Sequence, residues 1–448
     1  MIKKKRFNPA ILLLIFSIST LHIAAQQTHS FSAKESVEYA LKHSVQVRNA
    51  LLDITIRQQG NREITAAAYP QISGSSSITD YIRLPVSLVP GEFFGQAAGT
   101  YIPVRFGTKY NATYALNVRQ IIFDGQVFVG LQARAASVVF AQQTVEATQE
   151  QIKANVYKIY YQLVVARNQI KLIDANIARA EKLLHDTKEL YKNGFQEKLD
   201  VDKVNVSLSN LRTSRTTVEN QLQTGYIGLK FLMGMPVKED LVLTDSLSDA
   251  DLKSNLVNDL NFKYDDRIEY RLQQTAARLG EYNVKRYRKS YLPSLSVNAG
   301  YAGNAQRNKF TIFKTNERWF RQSFVSVNLD IPIFDGFAKA ARVQQARLQL
   351  MQTQNNITDL KNSIDNDVQT ASIQIKNALT TLDEQKNNIA LAEQVYNQTK
   401  LKYEQGLGSN LEVTNAETDL ITAQNSYYSA IYDAIIARID YLKAVGKL

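Results

Sequence analysis

The chain has 448 residues, no cysteine and a formal net charge of +11, with 44% hydrophobic residues. The missing cysteine excludes disulfides, thiol catalysis, Cys-based metal sites and a lipid-linked N-terminal cysteine. Four of the positive charges sit together in Lys3-Lys4-Lys5-Arg6, and elsewhere Lys and Arg interleave with Asp and Glu along helical patterns. Such a balance reads as solvated helix faces and not as a nucleic-acid surface.

In chain order, the basic start runs into the apolar stretch Ile11 to Ile23 and then Ala24-Ala25-Gln26. That pattern predicts a secretory signal peptide over residues 1–25, its apolar part being too short for a comfortable membrane span. An interfacial anchor is the alternative.

The rest of the chain is written twice. Tyr191, Gly194, Leu199 and Val201 recur as Tyr403, Gly406, Leu411 and Val413 at a constant offset of 212 residues, with an acid between Leu and Val in each copy. The expected organisation is a first repeat over 26–236, an acidic connection over 237–261 and a second repeat over 262–448. Each repeat opens on a helix. Ser32 and Glu35 have capping-box spacing before a helical pattern ending at Pro70, and Asp266 and Glu269 have it before one ending at Pro293.

After each proline the hydrophobic period changes to two. Strands are expected at about 71–82, 109–123, 294–303 and 322–334; Leu295, Val297, Ala299 and Tyr301 alternate with Ser294, Ser296 and Asn298. Strands with one apolar face fit a soluble sandwich or a membrane barrel equally well. The long linkers between them, with Phe310, Phe313, Trp319 and Phe320 near strand ends, favour the barrel.

The second strand of each repeat ends in Phe-Asp-Gly, at Phe123-Asp124-Gly125 and at Phe334-Asp335-Gly336, the latter preceded by Pro332. Long helices are expected from there, at about 125–192 and 336–405. Ile152, Val156, Ile159, Leu163, Ala166, Ile170, Ile173, Ile177, Ala180 and Leu184 step by four and three without a slip. This heptad seam predicts left-handed supercoiled packing. A proline-free helix of that length spans on the order of 100 Å. Return helices follow at about 197–233 and 409–445.

Four His are scattered at 22, 29, 43 and 185, and no phosphate loop, nucleophile elbow or dinucleotide fingerprint is present. No cofactor, metal or nucleic acid is expected, and an enzyme is the weakest reading. Four strands cannot close a membrane barrel, since about eight are needed, so lipid-embedded strands would require several chains to share one barrel.

The order of capping helix, Leu-Pro-Ser-Leu-Ser at 292–296, strand pair, Pro-Ile-Phe-Asp-Gly at 332–336, long helix, Tyr-x-x-Gly-x-x-x-x-Leu-Glu-Val at 403–413 and return helix resembles the TolC-type outer membrane factor family. The resemblance covers both repeats of the mature chain. It implies a mainly α fold with a small β part, and a homotrimer with a 12-stranded outer-membrane β-barrel continuous with a periplasmic α-helical barrel. It also implies export through an aperture opened by a periplasmic adaptor and an inner-membrane pump. On this reading Tyr191, Gly194, Tyr403 and Gly406 lie at the periplasmic tip and adaptor contact. Asp200, Glu412 and Asn415 would line the aperture, while Asp124, Gly125, Pro332, Asp335 and Gly336 mark strand-to-helix junctions. The family's aperture carries a second acid where this chain has Asn415, so the chain departs from the family's doubled acidic ring there. Ser409 and Glu412 also have capping-box spacing, so Glu412 has a competing role at a helix start. Asp200 likewise suits a helix N-terminus. Both tyrosines could be ordinary seam residues. The rival from another class is an exported coiled-coil structural or surface protein, which heptads alone would allow.

Overall fold

A computed structural model describes residues 28–247 and 262–448. The expected signal peptide and the latter part of the acidic connection lie outside the described residues. The chain divides into two compact units that each draw on both sequence repeats: one comprises Ala50–Val145 and Ile268–Ser363, the other the described residues before, between and after these.

The first of these units is built on an antiparallel sheet of four strands, β2 (Gln71–Asp80), β5 (Tyr110–Phe123), β7 (Ser294–Arg307) and β8 (Phe320–Asp330), in the order β2-β5-β7-β8. The long β5–β7 ladder therefore joins the two repeats. Its register puts Ile72 beside Val118, Val118 beside Ala299 and Ala299 beside Val325, so the apolar residues of all four strands share one face. The other face carries Ser73, Ser75, Asn117, Asn298, Ser326 and Asn328, and Thr113 donates to Asn304 Oδ1 at 3.0 Å there. The apolar face is largely bare, with Val325 75% and Val327 66% exposed. Near the outer end of β5, rings from the β7–β8 linker fold back, Trp319 at 5.2 Å from Tyr114 and Phe310 at 5.4 Å from Tyr110. The linker between β2 and β5, which carried no strand signal, holds a hairpin of β3 (Val86–Pro90) and β4 (Tyr101–Arg105). β8 stops at Asp330, short of the alternation that continues to Ile333, because Pro332 has no amide hydrogen to give a ladder.

The second unit is helical. It contains the ends of α3 (Gly125–Lys192) and α6 (Ala338–Glu404), the whole of α4 (Lys198–Met233) and α7 (Asn410–Ala444), the short helix Ala33–His43, and a two-stranded sheet of Thr28–Phe31 with Asp240–Leu243. Every position of the α3 seam from Ile152 to Leu184 is buried or half-buried, as are Ile364, Val368, Ala371, Ile375, Leu382 and Tyr396 of α6. Among the described residues no helix is long and apolar enough to cross a membrane.

Two features differ from the sequence reading. The opening helix is broken into α1 (Ala33–His43) and α2 (Val45–Ala66) at Ser44, which is extended at ψ 130° and buried. Gly234, at the end of α4, presses on this break: a Cβ built there would stand 2.4 Å from the His43 carbonyl oxygen. At the other opening helix, α5 (Ile268–Lys289), the helix starts one residue too late for Asp266 to be its cap. Arg267 occupies the cap position, and Asp266 accepts instead from the Lys263 amide at 3.2 Å. The Ser32/Glu35 box does form, with both reciprocal bonds present.

The start of the acidic connection also acquires a role that composition did not disclose. β6 (Asp240–Leu243) pairs in parallel with β1 (Thr28–Phe31). Asp245 accepts from the Ala33 amide at 2.9 Å, and Arg167 of α3 donates to Leu243 O at 2.6 Å and Asp245 O at 2.8 Å. Tyr160, fully buried, donates to Phe31 O at 3.0 Å and accepts from the Asp245 amide at 3.2 Å. These bonds satisfy strand groups that water would otherwise have to reach.

Candidate functional site

The two hairpin tips lie in the helical unit and share one core, in which Leu183, Leu184, Val204 and Leu208 of the first tip pack with Tyr396, Tyr403, Val413 and Leu420 of the second. Each long helix ends by the same device. Gly194 and Gly406 adopt φ of +80° and +75°. The Phe195 amide reaches back to Leu190 O at 2.9 Å and the Gly194 amide to Tyr191 O at 3.0 Å. At the second tip Leu407 reaches Lys402 O at 2.9 Å and Gly406 reaches Tyr403 O at 2.9 Å. This is the Schellman pattern, and it needs a residue that tolerates the left-handed region at its end.

The two tyrosines, equivalent in sequence, are not equivalent in space. Tyr191 is 45% exposed whereas Tyr403 is 8% exposed and part of the shared core. Burial pushes the Tyr403 phenol up from its ordinary value; the nearby Thr187 hydroxyl opposes this, and the carboxylates of Asp200 and Asp186 add to it. Asp200 stands in the first turn of α4, half-buried, 3.7 Å from Lys203, and its carbonyl accepts from Asn410 Nδ2 at 3.4 Å.

At the start of α7 only half of the expected box is made. Ser409 Oγ accepts from the Glu412 amide at 3.2 Å, but no reciprocal bond joins the Glu412 carboxylate to the Ser409 amide. Glu412 and Asn415 are both exposed. The Glu412 side chain thus remains a solvated charge beside Gly408. A groove of about 620 Å³ runs along the tips, lined by Arg179, Lys182, Asp186, Glu189, Lys400 and Glu404 among others.

Sequence reasoning missed a polar cluster inside the tip bundle. Asn176 of α3 donates to Gln424 of α7 at 2.9 Å, and Arg179 bonds Asn176 while its guanidinium lies 5.6 Å from the Tyr396 ring centre. Glu417 is also buried, and burial raises its carboxyl above the ordinary range while Arg179 works in the other direction. The available signal was the seven-residue step from Glu417 to Gln424 alongside the apolar series Ala416, Leu420 and Ala423.

The junction residues lie in the sheet-bearing unit. Asp124 Oδ1 accepts from the amides of Gln126 at 2.8 Å and Val127 at 3.4 Å, capping α3. Gly125 is buried, with the Lys289 carbonyl only 3.0 Å from where a Cβ would stand. In the second copy Gly336 and Phe337 are both left-handed, so α6 begins at Ala338, and Asp335 accepts from the Lys339 amide at 2.9 Å. Pro332 lies exposed in the segment after β8.

Comparison with known proteins agrees with this architecture. The family model described as outer membrane efflux protein matches residues 37–235 and 270–447. The chain is 21% identical over 343 residues to the outer membrane protein TolC of Vibrio cholerae serotype O1, covering 74% of this chain and 76% of that protein. It is 22% identical over 415 residues to the outer membrane efflux protein BepC of Brucella suis biovar 1, covering 91% and 84%. Its fold matches the crystal structure of the Campylobacter jejuni CmeC outer membrane channel with a TM-score of 0.74 at 15% identity, covering 96% of this chain and 91% of that one. Two helix-tip copies, a shared sheet built from both repeats and a family match to most of the chain lead to one conclusion: the chain belongs to the outer membrane efflux protein family.

Proposed function

We propose that the chain is the outer-membrane exit duct of a tripartite efflux or type I secretion system. As a member of its family it is an outer-membrane protein with a periplasmic part. The observation that carries the duct reading is the open sheet. Its strands reach 14 residues, one face is apolar and bare, and its edges β2 and β8 have no neighbour among the described residues. In a bilayer an open edge leaves backbone groups without partners, so the sheet must close. Strand direction alternates along β2-β5-β7-β8, so β8 of one copy meets β2 of the next antiparallel, and rotation about one axis closes the ring. The family favours three copies, which gives a homotrimer with a 12-stranded barrel and a periplasmic helical barrel made by the long helices.

In that assembly the tips are the working end. Tyr191, Gly194 and Gly406 form the surface for a periplasmic adaptor, which links the duct to an inner-membrane pump, while Tyr403, expected there as well, is buried in the shared core and only supports the tip from behind. Asp200, Glu412 and Asn415 border the aperture. The exposed Glu412 carboxylates would form a single acidic ring that holds cations, with Asn415 adding polarity but no charge. The duct itself is passive, and the pump supplies the energy. The alternative of an exported coiled-coil stalk gives no reason for an amphipathic sheet shared by both repeats.

The test is to purify the mature chain from outer membranes in detergent, measure its mass and record conductance in a planar bilayer. A trimer that conducts is expected, and a monomeric or non-conducting product would sink the reading. Within a conducting protein, Glu412→Gln is expected to raise closed-state conductance or relieve cation block. No change in either would return Glu412 to the helix-start role.

A further inference from the structure

We infer that the C-terminal turn of α5 is a binding site for anionic phospholipid of the periplasmic leaflet of the outer membrane, an inference that rests on the barrel reading above. Lys285, Arg286, Arg288 and Lys289 lie within five residues and are all exposed. The helix stops at Lys289, and β7, with Leu295 and Val297 on its apolar face, begins five residues later at Ser294. The cations therefore stand where the chain passes from helix to sheet. Tyr291 and Leu292, 51% and 40% exposed, lie between the cations and the sheet. The place of the turn is fixed by packing, because the Lys289 backbone lies against Gly125 at the start of α3.

Among the described residues, carboxylates do not account for these charges. Asp124, at the adjacent junction, accepts from the Gln126 and Val127 amides, and Asp335 is joined to Lys339. Glu281 lies one turn back on α5, yet Lys285 donates to Gln132 Oε1 at 2.7 Å instead. Arg286 lies 4.8 Å from the Tyr287 ring centre, which leaves its donors available. Complementing the helix dipole is an insufficient reason, as the internal repeat makes plain. Aligned on Pro70 and Pro293, the same four positions at the end of α2 are Arg62, Glu63, Thr65 and Ala66, a neutral set doing the same structural job. What distinguishes the α5 copy is surplus positive charge beside exposed aromatic and apolar side chains at a membrane boundary. Arg and Lys can extend to the headgroup level while their stems lie on apolar surface, and phosphodiester oxygens match their donors. Phospholipid is favoured over lipopolysaccharide because this turn adjoins the helical end of the sheet, which faces the periplasm.

The experiment is native mass spectrometry of the full-length detergent-purified assembly with added phosphatidylglycerol or phosphatidylcholine. Preferential retention of phosphatidylglycerol is expected. The combined variant Lys285→Gln, Arg286→Gln, Arg288→Gln, Lys289→Gln should reduce that retention at least roughly tenfold. Arg286→Lys with Arg288→Lys, which keeps the charge, should retain most of it. Equal retention of the two lipids by the unsubstituted chain, an unchanged preference in the neutralised variant, or preference for lipid A would each overturn the inference. If the fourfold variant does not assemble, Arg288→Gln with Lys289→Gln and a salt titration of the unsubstituted chain give the same decision: a preference unaffected by both counts against the site. A conducting trimer without lipid preference defeats only this inference, whereas a non-conducting monomer defeats the duct reading.

Discussion

Gly234→Ala is expected to destabilise the chain considerably more than Gly406→Ala, although the two glycines have almost the same backbone. Their φ values are +72° and +75°. Both close a helix with the same pair of bonds, Met235 to Lys230 O at 2.8 Å and Gly234 to Phe231 O at 3.1 Å matching those at the second tip. Placing a Cβ in the left-handed region therefore costs each variant a similar amount, about 1–2 kcal/mol. Surroundings separate them. At Gly406 the new methyl meets nothing within 4 Å, but at Gly234 it would stand 2.4 Å from His43 O, 2.8 Å from His43 C and 3.1 Å from Ser44 Cα. These are backbone atoms that cannot rotate aside, so the α1–α2 break or the end of α4 has to move. Overpacking of this kind adds about 1–3 kcal/mol, which brings the Gly234 variant to roughly 2–5 kcal/mol. Thermal unfolding of the detergent-purified variants by far-UV circular dichroism reads the difference. Equal shifts, or a larger one for Gly406→Ala, would refute the contact argument.

Tyr160→Phe removes the bonds to Phe31 O and from the Asp245 amide and should cost about 1–2 kcal/mol. Burial raises the Tyr160 phenol to about 12, so the native chain keeps a proton that the unfolded chain loses above its ordinary 10.0. Stability contributed by this group is thus complete below about pH 10 and lost as pH rises towards 12, and alkaline denaturation of the Phe variant should lack that slope. For Glu417 the sign is the same at lower pH. Burial favours its protonated form, so the native state holds the proton more tightly, and stability falls as pH rises from its ordinary value of 4.5 through the raised folded value. Glu417→Gln should flatten that decline and gain about 1 kcal/mol at neutral pH; pH-dependent melting that matches the unsubstituted chain would count against it. Asp124→Ala removes the cap on α3 and should cost about 0.5–2 kcal/mol, measured by the same melting experiment.

The amino-acid sequence by itself determined the features that follow from short-range periodicity and local backbone preference. Alternation of period two located β5, β7 and β8, because successive side chains of a strand point to opposite faces, whereas β2, rich in Ser, gave only a weak signal. The steps of four and three from Ile152 to Leu184 disclosed the buried line of α3, and Gly194 and Gly406 disclosed both helix stops. Tertiary structure decided the rest. That β5 pairs with β7 and β1 with β6 depends on ladders between segments far apart in the chain, whose register no local pattern contains. The break at Ser44 depends on the closeness of Gly234, which a helical period running past residue 44 cannot reveal. The same holds for the half-made box at Glu412, since capping spacing offers a carboxylate but its environment decides where it points. Tyr191 and Tyr403 make the distinction most simply. The repeat writes them identically, yet one is exposed and the other buried, because a side chain's burial is a property of its neighbours in space.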